Sequence, residues 1–264
     1  MRIFWDERQR LHAPRYEFFN GGLHPAAEHP GRVDSILATI GTTETVRDRG
    51  EAPLLRVHPQ HYLDFLKAAY ADWRAAGREG DAIPYTFPLV QRRRLDLSRI
   101  DGRLGYHVYD SSTPIAEHSW TAAYWGAQTA LSALDAVLAG DRTAFALCRP
   151  PGHHCGADYA GGYCYLSNAA IAAEAAVAAG RRRIAILDID YHHGNGTQDI
   201  FWRRGDVLFV SIHADPSTDY PFFWGHADER GEGHGEGATL NLPLPPGTKL
   251  DPSSMMKAGG SSQK

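Results

Sequence analysis

Cysteine is scarce in this sequence, and long apolar runs are missing. The 264 residues contain three cysteines, an odd number without the C-x-x-C spacing of a structural zinc site, which argues against a disulfide scaffold and favours reduced thiols. No run of about 18 consecutive apolar residues is present to span a membrane, and the N-terminus lacks the apolar core of a signal peptide. We therefore expect a cytoplasmic protein without a membrane-spanning segment.

An excess of positive charge is also missing. The chain has 27 Lys and Arg residues against 31 Asp and Glu residues, which gives a formal net charge of -4. Proteins that bind polyanions usually show a basic surface, so we do not expect nucleic acid as a direct partner. The 43% hydrophobic and 22% charged residues are ordinary for a globular protein, and the length predicts one domain, or one and a part.

Strands and helices are predicted to alternate in the second half of the chain. Apolar runs predict strands over residues 143–148, 183–188 and 207–212, and helices are predicted over 119–139, 168–179 and 197–203. Apolar strands separated by helices pair in parallel in α/β proteins, and ligands bind at the carboxyl ends of such strands. The first half predicts a strand over 2–5, helices over 32–40 and 61–76, and a long structured loop over 78–118.

Residue types that bind metals follow the strand predicted over 183–188. The run Asp188-Ile-Asp190-Tyr-His192-His193-Gly194-Asn195-Gly196 places two aspartates and two histidines within nine residues. Asp190 and His192 can direct a carboxylate oxygen and an imidazole nitrogen at one zinc ion, although a catalytic zinc takes three protein ligands. The alternative is that Asp188 and Asp190 only cap the turn after the strand. The density of ligand types in this run disfavours that alternative.

A histidine pair lies in a second segment, Arg149-Pro-Pro-Gly-His153-His154. Histidine is the side chain used most often to transfer protons in catalysis. Asp188 can orient one imidazole and Asn195 the other, and an imidazole paired with a neutral amide keeps the lower pKa. We therefore assign the acid–base role to His154.

These two segments, together with Gly161-Gly162-Tyr163-Cys164-Tyr165-Leu-Ser-Asn168, resemble the histone deacetylase superfamily. The segment from Leu11 through Glu17-Phe-Phe-Asn-Gly-Gly22 and the segment Ile100-Asp101-Gly-Arg-Leu-Gly-Tyr106 are similar to bacterial acetylpolyamine amidohydrolases within it. The resemblance implies the arginase/deacetylase-like three-layer α/β fold with a mainly parallel sheet. It also implies a homodimer, in which the loop over 78–118 narrows the active-site channel.

The resemblance assigns catalytic and metal-binding roles to the two motifs. It implies that Asp190 and His192 are zinc ligands and that His153 and His154 form the proton relay, supported by Asp188 and Asn195. Related ureohydrolases, which bind two manganese ions, have D-x-H-x-D at the first motif, and Gly194 stands at its last position here. We therefore expect a mononuclear site that holds Zn²⁺, with Fe²⁺ as the alternative.

Substrate and cation sites are implied in the same way. Positions that line the acyl tunnel match Gly162, Tyr163 and Tyr220, and acidic positions that meet the distal ammonium groups of a polyamine match Glu17 and Asp101. A further acidic position of the subfamily falls on Ser112, with Asp110 close by. A structural K⁺ site matches Asp188, Asp190, His192, Ser211 and Ile212, and a second such site matches Phe201, Arg204 and Val207.

Two catalytic residues that the family places late in its sequence have no counterpart here. They are the aspartate that is the third metal ligand and the tyrosine that polarises the scissile carbonyl. We expect a deacetylase domain over 1–250 without its C-terminal strands, followed by a non-family, linker-like tail over 251–264. This predicts a truncated member, in which two blocks of sheet expose unpaired edges and apolar surface across a gap.

The predicted function is zinc-dependent hydrolysis of acetyl amides, with a small cationic acetylpolyamine as substrate. One alternative is a protein acetyl-lysine deacetylase of the histone type, but Glu17, Asp101 and the long loop favour the smaller substrate. The other alternative is an inactive truncated member that retains only the acyl-binding tunnel. The missing third ligand favours this alternative, whereas the intact motifs indicate a catalytic ancestor.

Overall fold

Parallel strands with helices between them form the second half of the chain. The structure, a computed structural model, describes residues 1–89 and 95–249. Its helices are α1 (Gly31–Ile40), α2 (Gln60–Ala75), α3 (Ile100–His107), α4 (Ser119–Leu138), α5 (Asn168–Ala178) and α6 (Asn195–Phe201). Its strands are β1 (Arg2–Phe4), β2 (Tyr16–Phe19), β3 (Gly22–Pro25), β4 (Ala144–Ala146), β5 (Ile184–Asp188), β6 (Val207–Ala214) and β7 (Thr239–Leu244). The tail predicted over 251–264 lies outside the described residues.

Helix α3 lies where the sequence predicts only a loop. Gly102 and Gly105 lower the helix propensity of this short segment, so no helical pattern is visible there. Ile100 and Leu104 are nevertheless buried in the main hydrophobic core, which also contains Phe65 of α2. Burial of apolar surface against α2 therefore stabilises a helix that propensity alone does not favour.

Two further elements are absent from the sequence prediction. The antiparallel hairpin β2–β3 pairs Glu17 with His24, and β7 pairs in parallel with β6. Pro243 lies within β7 and cannot donate a backbone hydrogen bond, which obscures the strand pattern. It is tolerated because β7 lies at one end of the strand order β5-β6-β7.

The parallel register brings the carboxyl ends of the strands to one edge of the sheet. Asp188, at the end of β5, pairs with Ser211 of β6, which in turn pairs with Asn241 of β7. β4 is followed by the segment that contains His153 and His154. The two histidine motifs therefore follow strand ends, as the strand–helix alternation predicts.

The sheet is divided into two blocks. Among the strands of the described residues, β1 pairs with β4 and β5 pairs with β6, and β1 has one further isolated bridge, from Phe4 to Glu44. Parallel sheets in α/β proteins are normally covered on both faces, but here one face of the β5-β6-β7 sheet is open. Its exposed side chains include Leu187 (63%), Leu208 (41%) and Leu240 (47%), and Ile189, directly after β5, is 75% exposed. Among the described residues, this sheet therefore has an unpaired edge at β5 and exposed apolar surface on one face.

The helices of the described ranges include no candidate for a membrane span. None of them combines the length and the apolar composition that crossing a membrane requires.

A buried histidine, His58, hydrogen-bonds to two positions of the chain that follow the histidine pair. His58 is fully buried; its Nδ1 lies 2.9 Å from the carbonyl oxygen of Ala157, and its Nε2 accepts from the backbone N–H of Ser167 at 3.1 Å. The ring must therefore be neutral, with its proton on Nδ1. Burial lowers the pKa of His58 to about 4.

We expect this histidine to make stability depend on pH. The unfolded imidazole has a pKa of about 6.5, so between about pH 6.5 and pH 4 the unfolded state binds more protons than the folded state. Stability is complete above this window and falls with decreasing pH, by up to about 1.4 kcal/mol per pH unit for one such group. Urea denaturation at pH 7 and pH 5 should show a smaller pH difference for His58→Gln than for the wild type. The control His234→Gln changes an exposed histidine. This account would be contradicted if the stability difference between pH 7 and pH 5 were unchanged in His58→Gln, or were reduced equally in the control.

Candidate active site

The two aspartates of the first motif build the turn between β5 and α6. The backbone N–H of Asp190 donates to Asp188 Oδ1 at 3.1 Å, and that of His192 donates to Asp190 Oδ1 at 2.9 Å. Both carboxylates therefore cap the turn, as the alternative interpretation expects. Capping uses one oxygen of each carboxylate, and the other oxygen of Asp188 binds His153. Structural and functional roles coexist in the same residues.

The segment that contains the histidine pair packs closely against the start of α6. The backbone N–H of Thr197 donates to the carbonyl of His153 at 3.0 Å. Gly196 permits this approach, because a Cβ there would lie 2.3 Å from backbone atoms of Cys155. Gly162 approaches from the other side: its φ is +51°, and a Cβ would lie 2.1 Å from Cδ2 of His154. A side chain at Gly162 would displace the His154 ring, and one at Gly196 would displace the backbone that carries it.

The two imidazoles are neighbours with different partners. The ring centroids of His153 and His154 are 4.0 Å apart. Nδ1 of His153 lies 2.9 Å from Asp188 Oδ2, and Nδ1 of His154 lies 2.7 Å from Asn195 Oδ1. Neither oxygen can donate, so each Nδ1 holds a proton and each Nε2 is left for other chemistry. These are the two hydrogen bonds that the sequence predicts.

The partners separate the pKa values of the two rings. Burial lowers the pKa of His153, but the hydrogen bond to Asp188 and the charge of that carboxylate raise it by more, so the net pKa is raised. At His154, burial and the neighbouring His153 lower the pKa well below its ordinary value, and the hydrogen bond to Asn195 opposes this only weakly. One ring therefore favours the protonated form and the other the neutral form.

Asp190 and His192 provide two potential metal donors beside this pair. Asp190 Oδ1 lies 3.7 Å from Nδ1 of His192 and 3.9 Å from Nε2 of His153. Both donor side chains are about half exposed, at 54% and 40%. Within residues 1–89 and 95–249, no group of three or more His, Cys, Asp or Glu side chains is arranged to hold a metal ion. The donors match zinc in kind but do not by themselves complete a catalytic zinc site.

One aromatic ring packs against two of the imidazoles. The ring of Tyr220 stands edge-on to His154 and His192, with centroid distances of 4.9 Å and 5.7 Å. Tyr163 is anchored by its hydroxyl, which donates to Glu17 Oε1 at 3.2 Å. Glu17 is buried, and its other oxygen accepts from the backbone N–H of Ala27 at 3.4 Å. The structure thus places Glu17 directly beside one of the predicted tunnel residues.

Tyr109 is a site residue that the sequence does not reveal. Its hydroxyl lies 3.4 Å from Asn195 Oδ1 and hydrogen-bonds to the hydroxyl of Tyr220, and its ring stacks on Tyr220. It lies in the region predicted as a loop, where no motif or periodicity marks it. Only the approach of this region to α6 connects it with Asn195, so no sequence signal could have identified it.

Asp101 lies in a different environment from Glu17. Its carboxylate is buried and pairs with Arg78 and with Arg99, the latter at 3.0 Å. The hydrogen bond to Arg78 is the largest cause of the lowered pKa of Asp101. Together with Asp72 and Arg103 these residues line a separate cavity of about 400 Å³. The carboxylate of Asp101, which was predicted to meet the ammonium groups of a polyamine, is therefore paired with two guanidinium groups of the same chain.

The residues predicted to hold monovalent cations have protein partners. The hydroxyl of Ser211 lies 2.8 Å from Nδ1 of His213, next to Ile212 in β6. Arg204 pairs with Glu174 and Asp206 at 2.6 Å and 2.7 Å, while Phe201 and Val207 are buried in the core. Because backbone carbonyls would provide most ligands, both K⁺ sites remain predictions.

Comparison with known proteins agrees with this geometry. Residues 24–258 match the histone deacetylase domain family. The chain is 50% identical over 258 residues to acetylpolyamine amidohydrolase 1 of Pseudomonas aeruginosa, a match that covers 95% of this chain and 75% of the relative. It is 43% identical over 253 residues to the acetylpolyamine amidohydrolase of Mycoplana ramosa, covering 94% and 74% of the two chains.

A solved structure of a related protein has a similar fold. The crystal structure of acetylpolyamine aminohydrolase from Burkholderia pseudomallei superposes with a TM-score of 0.86 at 44% identity, covering 93% of this chain and 72% of that one. The predicted α/β fold class is thereby confirmed, and these relatives are curated amidohydrolases. The family match over most of the sequence, together with the paired histidines beside Asp190 and His192, shows that this chain belongs to the histone deacetylase family.

Proposed function

We propose that this chain hydrolyses the acetyl amides of acetylpolyamines, with zinc as the metal ion. The observation that supports this most directly is the pair of adjacent imidazoles, one bound to Asp188 and the other to Asn195, beside the donors Asp190 and His192. Hydrolysis of an amide requires a base that takes a proton from water and an acid that returns one to the leaving amine. In this proposal one ring, His154, supplies both functions, and the other ring, His153, supports it.

His154 is the residue that we propose for proton transfer. Asn195 holds the Nδ1 proton, so Nε2 can accept a proton from the attacking water. The water oxygen bonds to the acyl carbon, the carbon–nitrogen bond breaks, and the proton passes to the amine. His153, held by Asp188, provides the positive charge that the neighbouring reaction centre needs.

Asp190 and His192 are the residues that we propose to hold zinc. Members of this family are metal-dependent, and a carboxylate oxygen with an imidazole nitrogen is a donor pair typical of catalytic zinc. A bound zinc ion lowers the pKa of water and polarises a carbonyl oxygen. A further donor must join these two to complete the coordination.

Glu17 supports a small cationic substrate. Its buried carboxylate lies beside Tyr163, a residue that the family places in the substrate tunnel. A buried carboxylate favours a ligand with an ammonium group, because a neutral ligand leaves the charge without a partner. The relatives named acetylpolyamine amidohydrolases agree with this substrate class. A homodimer, which the family resemblance implies, is part of the same proposal.

The proposal predicts a preference for acetylpolyamine substrates and a loss of turnover when His154 is replaced. With Zn²⁺ added, we expect kcat/KM to be higher for acetylputrescine or acetylspermidine than for an acetyl-lysine peptide, and we expect a chelator to abolish turnover. The variant His154→Ala should lower kcat by about 10²- to 10⁴-fold, the usual effect of removing a general base. Release of free amine, followed by chromatography, measures both quantities.

Three results would contradict this proposal. A preference for the peptide would favour the protein deacetylase alternative, and turnover that survives in His154→Ala would exclude the proposed relay. The control His234→Ala changes an exposed histidine outside the site and should retain wild-type kinetics. If the wild type binds acetylputrescine but shows no turnover at any Zn²⁺ concentration, the chain is a binding-only member.

A second prediction concerns the charge of Glu17. The variant Glu17→Gln keeps the shape of the side chain and an acceptor for Tyr163, but it removes the negative charge. We expect KM for acetylputrescine to rise about 10-fold, equivalent to about 1.4 kcal/mol, while KM for neutral N-butylacetamide stays constant. An equal rise in KM for both substrates would show that Glu17 acts through the structure of the site and not through its charge.

A further inference from the structure

One carboxylate connects the two aromatic walls of the site. Asp110 follows α3 in the chain, and its Oδ2 accepts from the backbone N–H of Gly162 at 2.7 Å and from the hydroxyl of Tyr220 at 2.9 Å. Gly162 precedes Tyr163, and the family resemblance assigns Tyr163 and Tyr220 to the two walls of the acyl channel, here called the Tyr163 wall and the Tyr220 wall. A single oxygen atom is therefore hydrogen-bonded to both sides of the channel.

The other oxygen of Asp110 fixes the carboxylate itself. Oδ1 accepts from the backbone N–H and from the hydroxyl of Ser112, at 3.1 Å and 3.2 Å. With these contacts, Asp110 receives four hydrogen bonds, all from neutral donors. A carboxylate has about four lone-pair sites, so little acceptor capacity remains for a substrate ammonium group.

Neighbours of Asp110 in the chain support the same two walls. The hydroxyl of Thr113 accepts from the backbone N–H of Tyr163 at 3.0 Å. The ring of Tyr109 lies 6.3 Å from that of Tyr220 with an interplanar angle of 15°, and its hydroxyl reaches Asn195. The segment 109–113 thus contacts both walls and the residue that orients His154.

We propose that Asp110 is a positioning residue that sets the spacing between the Tyr163 wall and the Tyr220 wall, and that this spacing determines which acyl groups the channel admits. Hydrogen bonds from both walls to one oxygen atom fix their separation more tightly than contacts to separate residues would. A narrow, fixed gap admits the planar acetyl group and excludes branched acyl groups. This inference rests on the proposed function for the identity of the ligand, but the spacing itself is a property of the free protein.

A direct role of Asp110 in binding the substrate cation is the competing explanation. In that case, loss of the carboxylate would weaken all cationic ligands equally, whatever their acyl group. Loss of a positioning residue would instead change the discrimination between acyl groups on the same amine. The two explanations therefore differ in a selectivity ratio and not in affinity alone.

The first test measures that ratio. Calorimetric Kd values for N-acetylputrescine and N-isobutyrylputrescine are compared in the wild type, Asp110→Ala, Asp110→Asn and the control Asp215→Ala, which removes a carboxylate that caps an exposed turn. We expect Asp110→Ala to reduce the preference for the acetyl ligand about 10-fold, the effect of losing hydrogen bonds from both walls. Asp110→Asn keeps one oxygen acceptor and should restore part of the preference. Equal weakening of both ligands would overturn the proposal.

The second test requires no ligand, which separates this inference from the proposed function. Hydrogen–deuterium exchange is measured for peptides that cover residues 161–165 and 218–223, at equal thermal stability of the compared proteins. We expect both peptides to exchange faster in Asp110→Ala, and the 218–223 peptide alone to do so in Tyr220→Phe, which removes only one hydroxyl from the network. Faster exchange confined to residues 107–113 would overturn the proposal, even if the wild type bound no acetylpolyamine. If Asp110→Ala does not fold, Asp110→Asn and Tyr220→Phe decide the same question.

Discussion

The hydrogen bond between His153 and Asp188 joins two parts of the molecule that share no strand pairing in the described residues. β4 pairs with β1 and β5 with β6, so the sheet ladders do not fix the turn after β4 relative to the turn after β5. The 2.9 Å contact does so, together with the hydrogen bond from Thr197 to the carbonyl of His153. His154 follows directly in the chain, and its position relative to Tyr220 and Gly162 depends on this connection.

The identity of each histidine's partner then decides its chemistry. Burial alone lowers the pKa of both imidazoles, since it disfavours a charged ring. A carboxylate partner reverses that effect at His153, whereas an amide partner at His154 does not. A difference of one side-chain group, Asp188 against Asn195, thus separates the proton affinities of two rings that lie in contact. At one pH, the separation favours a neutral His154, which can accept a proton, beside a His153 that favours the protonated form.

The acidic residues Glu17, Asp101 and Asp110 likewise differ in their hydrogen-bond and ion-pair partners. Glu17 accepts hydrogen bonds from a tyrosine and a backbone amide, and no Lys, Arg or His of the described residues forms an ion pair with it. Asp101 is paired with guanidinium groups. Asp110 is saturated by neutral donors from both walls. The partners, and not the residue type, determine whether a carboxylate can attract a ligand, hold an arginine or fix the spacing of the channel.

The sequence by itself determined the chemistry and most of the second half of the fold. Asp188, Asp190, His192 and the histidine pair are close in sequence within dense motifs, and the apolar strands between helices have clear patterns. Tertiary structure alone decided α3, β7, Tyr109 and the partners of Asp101, because these depend on contacts between residues far apart in the chain. The hydroxyl of Tyr109 meets Asn195 across 86 positions, and no local pattern encodes such a contact. Burial against α2 and pairing with β6 likewise override weak local propensities, and they are defined only once the chain is folded.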